Sequence, residues 1–422
     1  MPAERVDGLV AVLNAVRSAP DGITQAQVAQ RIGQGRSFVA QRVRELAAAG
    51  LMTSDGLAPS TGGRAPRRLR FRTEAGIVAG ADIGATGMVV GLADLSGAVK
   101  AHATEAVDVA DGPEVVLGRV EQLIEQLADG FPGSRPLWGV GVGVPGPVEF
   151  ATGRPVAPPI MPGWDGYPIR ERMARRFEAA VWVDNDVNLL ALAELRTNPQ
   201  AAASGDVLVA KVGTGIGAGL VSGGRLHRGV NGCAGDIGHV AVAEAEAVVC
   251  RCGNRGCLEA LAGGAALARE GQRLAACGDS PVMAEMLAAT GGLTAADVTR
   301  AADRGDVAAR LLLARAGRLI GGTLATLISF YNPGLVVLGG GVVAAGDHVL
   351  AAIRESVYRR SLPLATRTLR IEPSLLGESA GLVGAVHLVL DALFARDCLT
   401  SWLREGSPAG RPELAMATPA AA

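Results

Sequence analysis

The chain has 422 residues, a formal net charge of −1, 49% hydrophobic residues, only 3% aromatic residues and 58 glycines. This length provides for two or three domains with a large core. The charged N-terminus is not followed by the apolar segment of a signal peptide, and no apolar run approaches a membrane span, so we expect a cytoplasmic protein with reduced thiols and no membrane partner.

The charge is unevenly distributed. Residues 1–72, called the head below, contain 11 arginines and 5 acidic residues, a net charge of +6. The other residues contain 29 basic and 36 acidic side chains, a net charge of −7. A basic head of this kind favours binding to the phosphate backbone of nucleic acids.

The head shows three helical patterns. Apolar side chains recur at helical spacing in residues 5–17, and Thr24 with Gln27 forms a capping-box pattern at the start of a second helix that Gly33 ends. A third pattern in residues 36–50 has Val39, Val43 and Leu46 on one face. Two short helices joined by a tight turn predict a helix-turn-helix, whose second helix enters the major groove.

The candidate DNA contacts lie on that second helix and on the segment after it. On the helix they are Arg36, Ser37, Gln41 and Arg44, where Arg and Gln side chains can recognise base edges. Asp55-Gly56 predicts a hairpin, the wing of a winged helix, with phosphate contacts from Arg64, Arg67 and Arg68. The alternative is a three-helix interaction domain with a solvated basic face.

Two glycine-rich hairpins are predicted in the body, in residues 77–99 and 206–229. Each has an apolar strand, a Gly/Thr turn and a second strand, and such turns can offer N–H groups to phosphate. A Walker A loop is excluded because neither lysine, Lys100 or Lys211, follows a glycine. GVGVPG at 141–146 matches GxGxxG, but Pro145 and Pro147 stand where a Rossmann helix would begin.

Polar residues follow a buried strand in VWVDNDVNLLALAEL, residues 181–195. Asp184, Asn185, Asp186 and Asn188 gather at the carboxyl end of this strand, where α/β proteins bind ligands. A carboxylate there can accept a hydroxyl proton during phosphoryl transfer. The alternative is plain N-capping of the following helix.

Three of the six cysteines cluster in CRCGNRGC, residues 250–257. Cys250, Cys252 and Cys257 together with His239 form a Cys3His set, which predicts structural zinc because four protein ligands leave no open position. The alternative is a chance group of thiols in an irregular loop.

Together these motifs resemble the ROK family of repressors and sugar kinases, over about residues 77–395. GHVAVAEAEAVVCRCGNRGCLE resembles the family's zinc signature, and AGDIGH resembles its sugar motif with Asp236 in place of glutamate. DNDVN resembles the catalytic segment, DIGATG and GTGIGAG the two phosphate hairpins, and LVVLGGGV the segment near adenosine. The resemblance implies an α/β, actin-like ATPase (ribonuclease H-like) body of two lobes, preceded by an all-α winged helix-turn-helix domain.

The resemblance also implies roles for individual residues. The sugar-binding residues would be Gly143, Pro145, Gly146, Asn185, Asp186, Asp236, His239 and Glu259. In a kinase Asp186 would be the general base. The phosphate and nucleotide contacts would be Asp82, Gly84, Thr86, Gly213, Thr214, Gly215 and Gly340.

Departures from the pattern of the family's kinases favour a regulator over a sugar kinase. In the first hairpin, Ala85 replaces a glycine and Gly87 a lysine of the kinases' DxGGTK, and Asp184 stands where glutamate is usual. These changes weaken the case for ATP and Mg²⁺, although the second hairpin is intact. We therefore expect a sugar-responsive transcriptional regulator, a repressor of carbohydrate metabolism, that binds operator DNA as a homodimer or higher homo-oligomer. The alternative is an ATP-dependent sugar kinase with an appended DNA-binding domain.

The expected domains are the DNA-binding head at 1–72, a first lobe at 73–195, and a second lobe at 196–395 whose last helix returns to the first. Residues 396–422 are rich in Pro, Ala and Gly and predict a disordered tail.

Overall fold

A computed structural model of the chain describes residues 3–57, 67–131, 133, 135–242 and 248–416. The head consists of three helices and three short strands. In chain order these are α1 (Ala3–Arg17), β1 (Ile23–Thr24), α2 (Gln25–Ile32), α3 (Arg36–Ala48), β2 (Met52–Leu57) and β3 (Arg67–Phe71). The strands form one sheet in the order β1-β3-β2, so this domain is mixed α and β and not all-α as expected. The wing hairpin acquires a third strand because β1, just before α2, pairs with β3.

The turn between α1 and α2 is fixed by the predicted capping box. The Thr24 hydroxyl accepts from the backbone N–H of Gln27, and the Gln27 side chain accepts from the Thr24 N–H. Such caps stabilise a helix start by about 1 kcal/mol. Gly33 ends α2 with φ +65°, a conformation that favours glycine. The inward faces of all three helices contribute Leu9, Leu13, Val28, Val39 and Leu46 to a hydrophobic core that continues into the first lobe.

The first lobe is built on a five-stranded sheet with the order β10-β7-β4-β5-β6. Its strands are β4 (Ile77–Ile83), β5 (Gly87–Asp94), β6 (Val99–Ala106), β7 (Leu137–Val144) and β10 (Ala180–Asn185), with a separate small hairpin of β8 (Val148–Glu149) and β9 (Arg154–Pro155). Helices α4 (Pro113–Asp129) and α5 (Ile169–Phe177) cover one face. The pairs β4–β7 and β7–β10 are parallel, so the ends of β4, β7 and β10 meet at one edge.

The second lobe repeats this topology. Its sheet has the order β13-β12-β11-β14-β15, made of β11 (Val207–Val212), β12 (Ile216–Ser222), β13 (Arg225–His227), β14 (Leu335–Gly339) and β15 (Arg370–Pro373). Eight helices belong to this lobe in the described ranges: α8 (Leu258–Ala262), α9 (Gly264–Ala276), α10 (Pro281–Thr290), α11 (Ala295–Asp303), α12 (Val307–Tyr331), α13 (Gly341–Ala344), α14 (Asp347–Arg360) and α15 (Pro363–Thr366). As in the first lobe, an antiparallel hairpin precedes the parallel strands.

Three helices lie at the junction between the lobes: α6 (Asp186–Thr197), α7 (Pro199–Ser204) and α16 (Ala380–Leu393). Helix α16 packs against α6, β4 and β7, although it follows the last strand of the second lobe. A side chain would not fit at Gly384, where a Cβ would lie 1.9 Å from the carbonyl oxygen of Leu189. The close contact between α6 and α16 therefore depends on glycine.

Helix α12 is the one described helix that is long and apolar enough, by length and composition, to cross a membrane. It packs along α14 in the second lobe, and half of its most apolar stretch is buried there. These contacts are those of the core helix of a globular domain.

The predicted disordered tail is wrong for residues 396–416. They form α17 (Arg396–Trp402) and a 3-10 helix at Pro412–Met416, and they bury Leu399, Trp402 and Leu414. The Trp402 ring lies 5.3 Å from that of Trp138, centroid to centroid. The few apolar residues in this segment suffice because they converge on a surface shared by the head and the first lobe.

Candidate cleft and zinc site

A cleft of about 820 Å³ opens between the two lobes. Most of the residues predicted to bind sugar or phosphate line it: Gly84, Thr86, Pro145, Gly146, Asn185, Asp186, Gly213, Thr214, Gly215, Asp236, His239 and Glu259. A smaller adjoining cavity of about 420 Å³ is lined by Asp82 and Gly340. Gly143 lines neither cavity, because it is buried in β7 beneath Leu189 and Asp82. The expected sugar contact of Gly143 is thus not supported.

The two glycine hairpins face each other across the cleft. In the first, the Gly84 N–H donates to the carbonyl of Gly87, and Thr86 is exposed at the tip. In the second, the Gly213 N–H donates to the carbonyl of Gly215, and the Gly213 carbonyl accepts from the N–H of Gly264 at the start of α9. The second hairpin is therefore bound to the start of a helix, whereas the Ala85 and Thr86 carbonyls of the first hairpin accept from the N–H groups of Val109 and Val107.

The last two residues of β10, Asp184 and Asn185, and the first residue of α6, Asp186, have separate partners. The Asn185 side chain accepts from the Val187 N–H at 2.9 Å and donates to the Gly146 carbonyl at 2.9 Å, so it caps α6 and also holds the GVGVPG loop. Asp184 is buried and accepts from the Asn188 amide at 2.8 Å. Asp186 does not cap α6; its carboxylate faces the cleft.

Arg228, which sequence reasoning missed, explains the burial of Asp184. The Arg228 Nε donates to Asp184 Oδ2 at 2.7 Å, and its guanidinium lies 3.9 Å from the centre of the Phe150 ring. This buried pair joins the segment after β13 to the first lobe. No local pattern could have indicated it, because 44 residues separate the two partners.

Lys211 is the second residue that sequence reasoning missed. Its Nζ lies 2.7 Å from Asp186 Oδ2, and it lines both cavities. Burial alone would lower the pKa of Lys211, but the negative charges of Asp186 and Asp82 outweigh it and raise this pKa above the ordinary value. Burial raises the pKa of Asp82 to about 6, against the lowering effect of Lys211. The scarcity of lysine in the chain was the only available signal.

The predicted zinc ligands lie together. One ligand atom each from His239, Cys250, Cys252 and Cys257 falls within 4.8 Å of the others. The Sγ atoms of Cys252 and Cys257 are 3.7 Å apart, and Cys250 Sγ is 3.6 Å from His239 Nδ1. Tetrahedral zinc with Zn–S bonds of about 2.3 Å requires sulfur atoms roughly 3.8 Å apart, so this set fits the ion.

His239 connects the cysteine cluster to the cleft. Its Nδ1 faces Cys250, while its Nε2 lies 4.0 Å from Asp236 Oδ1 at the cleft wall. The loop before His239 lies directly on β12: a Cβ at Gly235, where φ is +102°, would be 1.8 Å from the Ala218 carbonyl oxygen. The glycine thus sets the position of Asp236 and His239.

Glu259 also lines the cleft, and its Oε2 accepts from the Ile216 N–H at 3.0 Å. It follows the last cysteine of the cluster by two residues, at the first turn of α8. Glu259 therefore ties the cysteine cluster to the second hairpin while it faces the cavity.

Most of the candidate DNA-contacting side chains that the structure describes are exposed on the head. Arg36, Ser37, Gln41 and Arg44 on α3 are exposed, and so is Arg67 on β3. Arg68 is half-buried and donates to the Asp21 carbonyl at 3.2 Å. Arg64 lies outside the described residues.

Comparison with known proteins places these features in a known family. The sequence profile of the ROK family matches residues 78–392. A xylose repressor from Caldicellulosiruptor bescii is 27% identical over 376 residues, covering 88% of this chain and 93% of the repressor. A glucokinase from Halalkalibacterium halodurans is 31% identical over 315 residues, covering 74% of this chain and 94% of the glucokinase.

Two solved structures show the same difference in coverage between a regulator and a glucokinase. A ROK family transcriptional regulator, a homologue of the E. coli MLC protein, superposes with a TM-score of 0.80 at 22% identity and covers 95% of this chain and 99% of its own. A ROK family glucokinase from Streptomyces griseus, in complex with glucose and AMPPNP, superposes with a TM-score of 0.65 at 29% identity. The match covers 74% of this chain and 99% of the glucokinase. The repressor and regulator matches thus extend over more of the chain than the glucokinase matches.

Proposed function

Because the chain belongs to the ROK family, as the sequence motifs predicted, we propose that it is a DNA-binding transcriptional regulator controlled by a sugar or sugar derivative. The observation that carries this proposal is the head itself. It adds an exposed, arginine-bearing helix to a sugar-kinase-like body, and the xylose repressor matches 88% of the chain where the glucokinase matches 74%. We further propose that two copies form a dimer on a palindromic operator.

The cleft supplies the chemistry that a sugar needs. The Asp186, Asp236 and Glu259 carboxylates accept hydrogen bonds, and the imidazole of His239 can donate or accept. A polyol presents several hydroxyl groups that act in both senses, so these side chains can bind it without any charged group on the ligand. The glucokinase from Streptomyces griseus, a relative with the same body, was solved with glucose.

The Cys3His set would hold zinc in a structural role. Zinc there fixes the backbone and supplies no open coordination position. Because His239 Nδ1 faces Cys250, its ring is oriented with Nε2 towards Asp236. The metal ligand thereby positions the sugar-binding loop.

Regulation requires a ligand that binds two conformations of the protein with different affinity. The cleft is bordered by both hairpins, so a sugar between them favours the closed arrangement of the lobes. Helix α16 packs on α6 at the cleft, and Phe394 after its end contacts Phe71 of β3 in the head. A change in lobe closure therefore has a direct mechanical path to the DNA-binding surface.

An ATP-dependent sugar kinase is the second candidate, supported by the 31% identity to a glucokinase and by Asp186 at the cleft. The first hairpin lacks the kinases' glycine and lysine, at Ala85 and Gly87. In addition, the carboxylate that would serve as the base is ion-paired with Lys211.

Two measurements on the zinc-loaded chain test the proposal. DNA selected from a random duplex library is used in binding assays with a panel of hexoses, pentoses and amino sugars. We expect at least one sugar to change the DNA affinity more than tenfold, and no ADP release with any sugar above the background of Asp186→Asn. ADP release that disappears in Asp186→Asn would favour the kinase, and the absence of specific DNA binding would refute the regulator.

A further inference from the structure

A lysine from the second lobe reaches the centre of the cleft. Lys211 lies on β11, where it pairs with Gly339 of β14, so its backbone is part of the central sheet of that lobe. Its Nζ is 2.7 Å from Asp186 Oδ2 at the start of α6. Because the ammonium borders both cavities, this ion pair is part of the ligand-binding space and does not belong to a closed core.

A second carboxylate borders the smaller of the two cavities that Lys211 lines. Asp82, in β4, lines the smaller cavity together with Lys211 and Asp186. Its Oδ1 is buried and has no hydrogen-bond partner within the part of the chain that the structure describes. Its other side is closed by α16, since a Cβ at Gly381 would lie 1.8 Å from Asp82 Oδ2.

Two carboxylates that line one cavity are the kind of ligand that a divalent cation prefers. Here the ammonium group of Lys211 already occupies the position next to Asp186. Its positive charge repels a second cation at short range. The first hairpin provides no other cation, since Gly87 stands where the kinases have lysine. A magnesium–nucleotide complex therefore does not fit the residues present between the hairpins.

We propose that Lys211 is a built-in cation that replaces a metal–nucleotide complex beside Asp186 and holds the two lobes together across the cleft. This inference rests on the proposed function, since it makes the cleft a sugar receptor that needs neither Mg²⁺ nor ATP. Asp186 then acts as a positioned acceptor for a sugar hydroxyl, and its orientation is set from the opposite lobe.

The simplest competing interpretation is that Lys211 and Asp186 form an ordinary surface ion pair. Lys100, the other lysine of the chain, provides a matched control. Lys100 pairs with Asp94 at 2.9 Å, but its side chain is 45% exposed, compared with 26% for Lys211. Replacement of Lys100 by methionine removes the same charge from a pair outside the cleft.

The test measures Mn²⁺ binding to the zinc-loaded full chain by electron paramagnetic resonance, for wild type, Lys211→Met and Lys100→Met. Methionine keeps the unbranched apolar stem and removes the ammonium. We expect Lys211→Met to bind one Mn²⁺ at least tenfold more tightly than wild type and Lys100→Met, and to lose this gain when Asp186→Asn is added. Equal Mn²⁺ affinity in wild type and Lys211→Met would overturn the inference.

Two further arms keep the outcomes separate. If Lys211→Met does not fold, the wild type decides alone: one tightly bound Mn²⁺ that Asp186→Asn removes contradicts the inference, and no such ion supports it. Sugar binding by wild type, followed by calorimetry, should change less than twofold when Mg²⁺-ATP is added. The proposed function fails on DNA and sugar binding, whereas this inference fails on Mn²⁺ binding, so the two failures are distinguishable.

Discussion

Three consecutive residues at the junction of β10 and α6 have three different roles. Asp184 is buried against Arg228, Asn185 caps α6, and Asp186 faces Lys211 and the cleft. Because a strand alternates the direction of its side chains while a helix start redirects them, neighbouring residues at this junction point to different surroundings. Only Asp186 is therefore both charged and accessible to a ligand.

At the residue scale, the zinc ligands give a direct prediction. We expect Cys252→Ser to lower the zinc content from about one ion per chain to less than half, because the hydroxyl is a poor replacement for a thiolate. The sugar-induced change in DNA affinity should weaken together with the zinc content, since the cluster orients His239. Metal analysis and DNA titrations measure the two effects.

The exposed Cys277 serves as the control for Cys252, because Cys277→Ser changes the same atom outside the cluster. Full zinc content in Cys252→Ser, or a normal sugar response in a zinc-depleted protein, would separate the cluster from the cleft.

At the element scale, α16 connects the cleft to the head. It begins beside Asp82, and it ends where Arg17 of α1 lies 4.2 Å from the centre of the Phe394 ring. Near this end, Asp391 pairs with Arg196 at 2.7 Å, and His387 packs on Gly97. Helix α16 therefore carries titratable groups into the region where the head and the first lobe meet.

We expect the buried His387 to make the folded protein less stable in acid. The pKa of His387 is lowered from 6.5 to about 4, because burial and the charges of Arg196 and Arg17 outweigh the raising effect of Asp391. The unfolded chain thus binds a proton below pH 6.5 that the folded chain binds only near pH 4. We expect the free energy of unfolding to be unaffected by this group above pH 6.5 and to fall by up to about 3 kcal/mol towards pH 4.

Denaturant unfolding between pH 7 and pH 4 measures this effect. Acid also protonates the zinc ligands, so the dependence of the unfolding free energy on pH must be compared among wild type, His387→Gln and His102→Gln. His102 is exposed and serves as the control. His387→Gln should flatten the curve and His102→Gln should not; identical curves for wild type and His387→Gln would contradict the assignment.

At the scale of the whole molecule, the head and the rest of the chain carry opposite net charges, and we propose that they bind different partners. The head is basic and the rest of the chain is acidic, so an operator is attracted to one end while the cleft remains free for a neutral ligand. The tail stabilises this arrangement: Arg396 pairs with Asp7 of α1 at 2.8 Å, and Trp402 packs on Trp138 of the first lobe.

This division predicts that DNA and sugar affinities respond to separate substitutions. Arg36→Ala should weaken binding to the selected operator by about 1–3 kcal/mol, because a base contact is lost. Arg67→Ala should weaken binding to all sequences and reduce the slope of log K against log salt by about 0.9. Sugar binding measured by calorimetry should stay unchanged in both.

Arg304→Ala removes an equal charge from an exposed pair with Glu285 in the second lobe and should leave DNA binding unchanged. Loss of sugar affinity in Arg36→Ala would contradict the separation of the two surfaces.

The sequence by itself determined the features that depend on residues close together in the chain. The Thr24 capping box, the glycine hairpins and the cysteine cluster are local, because their geometry follows from short spacings and from the preferences of glycine and thiolate groups. Together they were enough to indicate the family and the two-lobed fold.

The tertiary structure decided what lies opposite each of these features. The partners of Asp184 and Asp186 are Arg228 and Lys211, 44 and 25 residues away, and they meet only because the two sheets present their ends to one cleft. Residues 396–416 are ordered for the same reason: their few apolar side chains have no periodic pattern, yet they pack on a surface that the head and first lobe form together. Long-range contacts of this kind depend on the packing of whole elements, which no short stretch of sequence encodes.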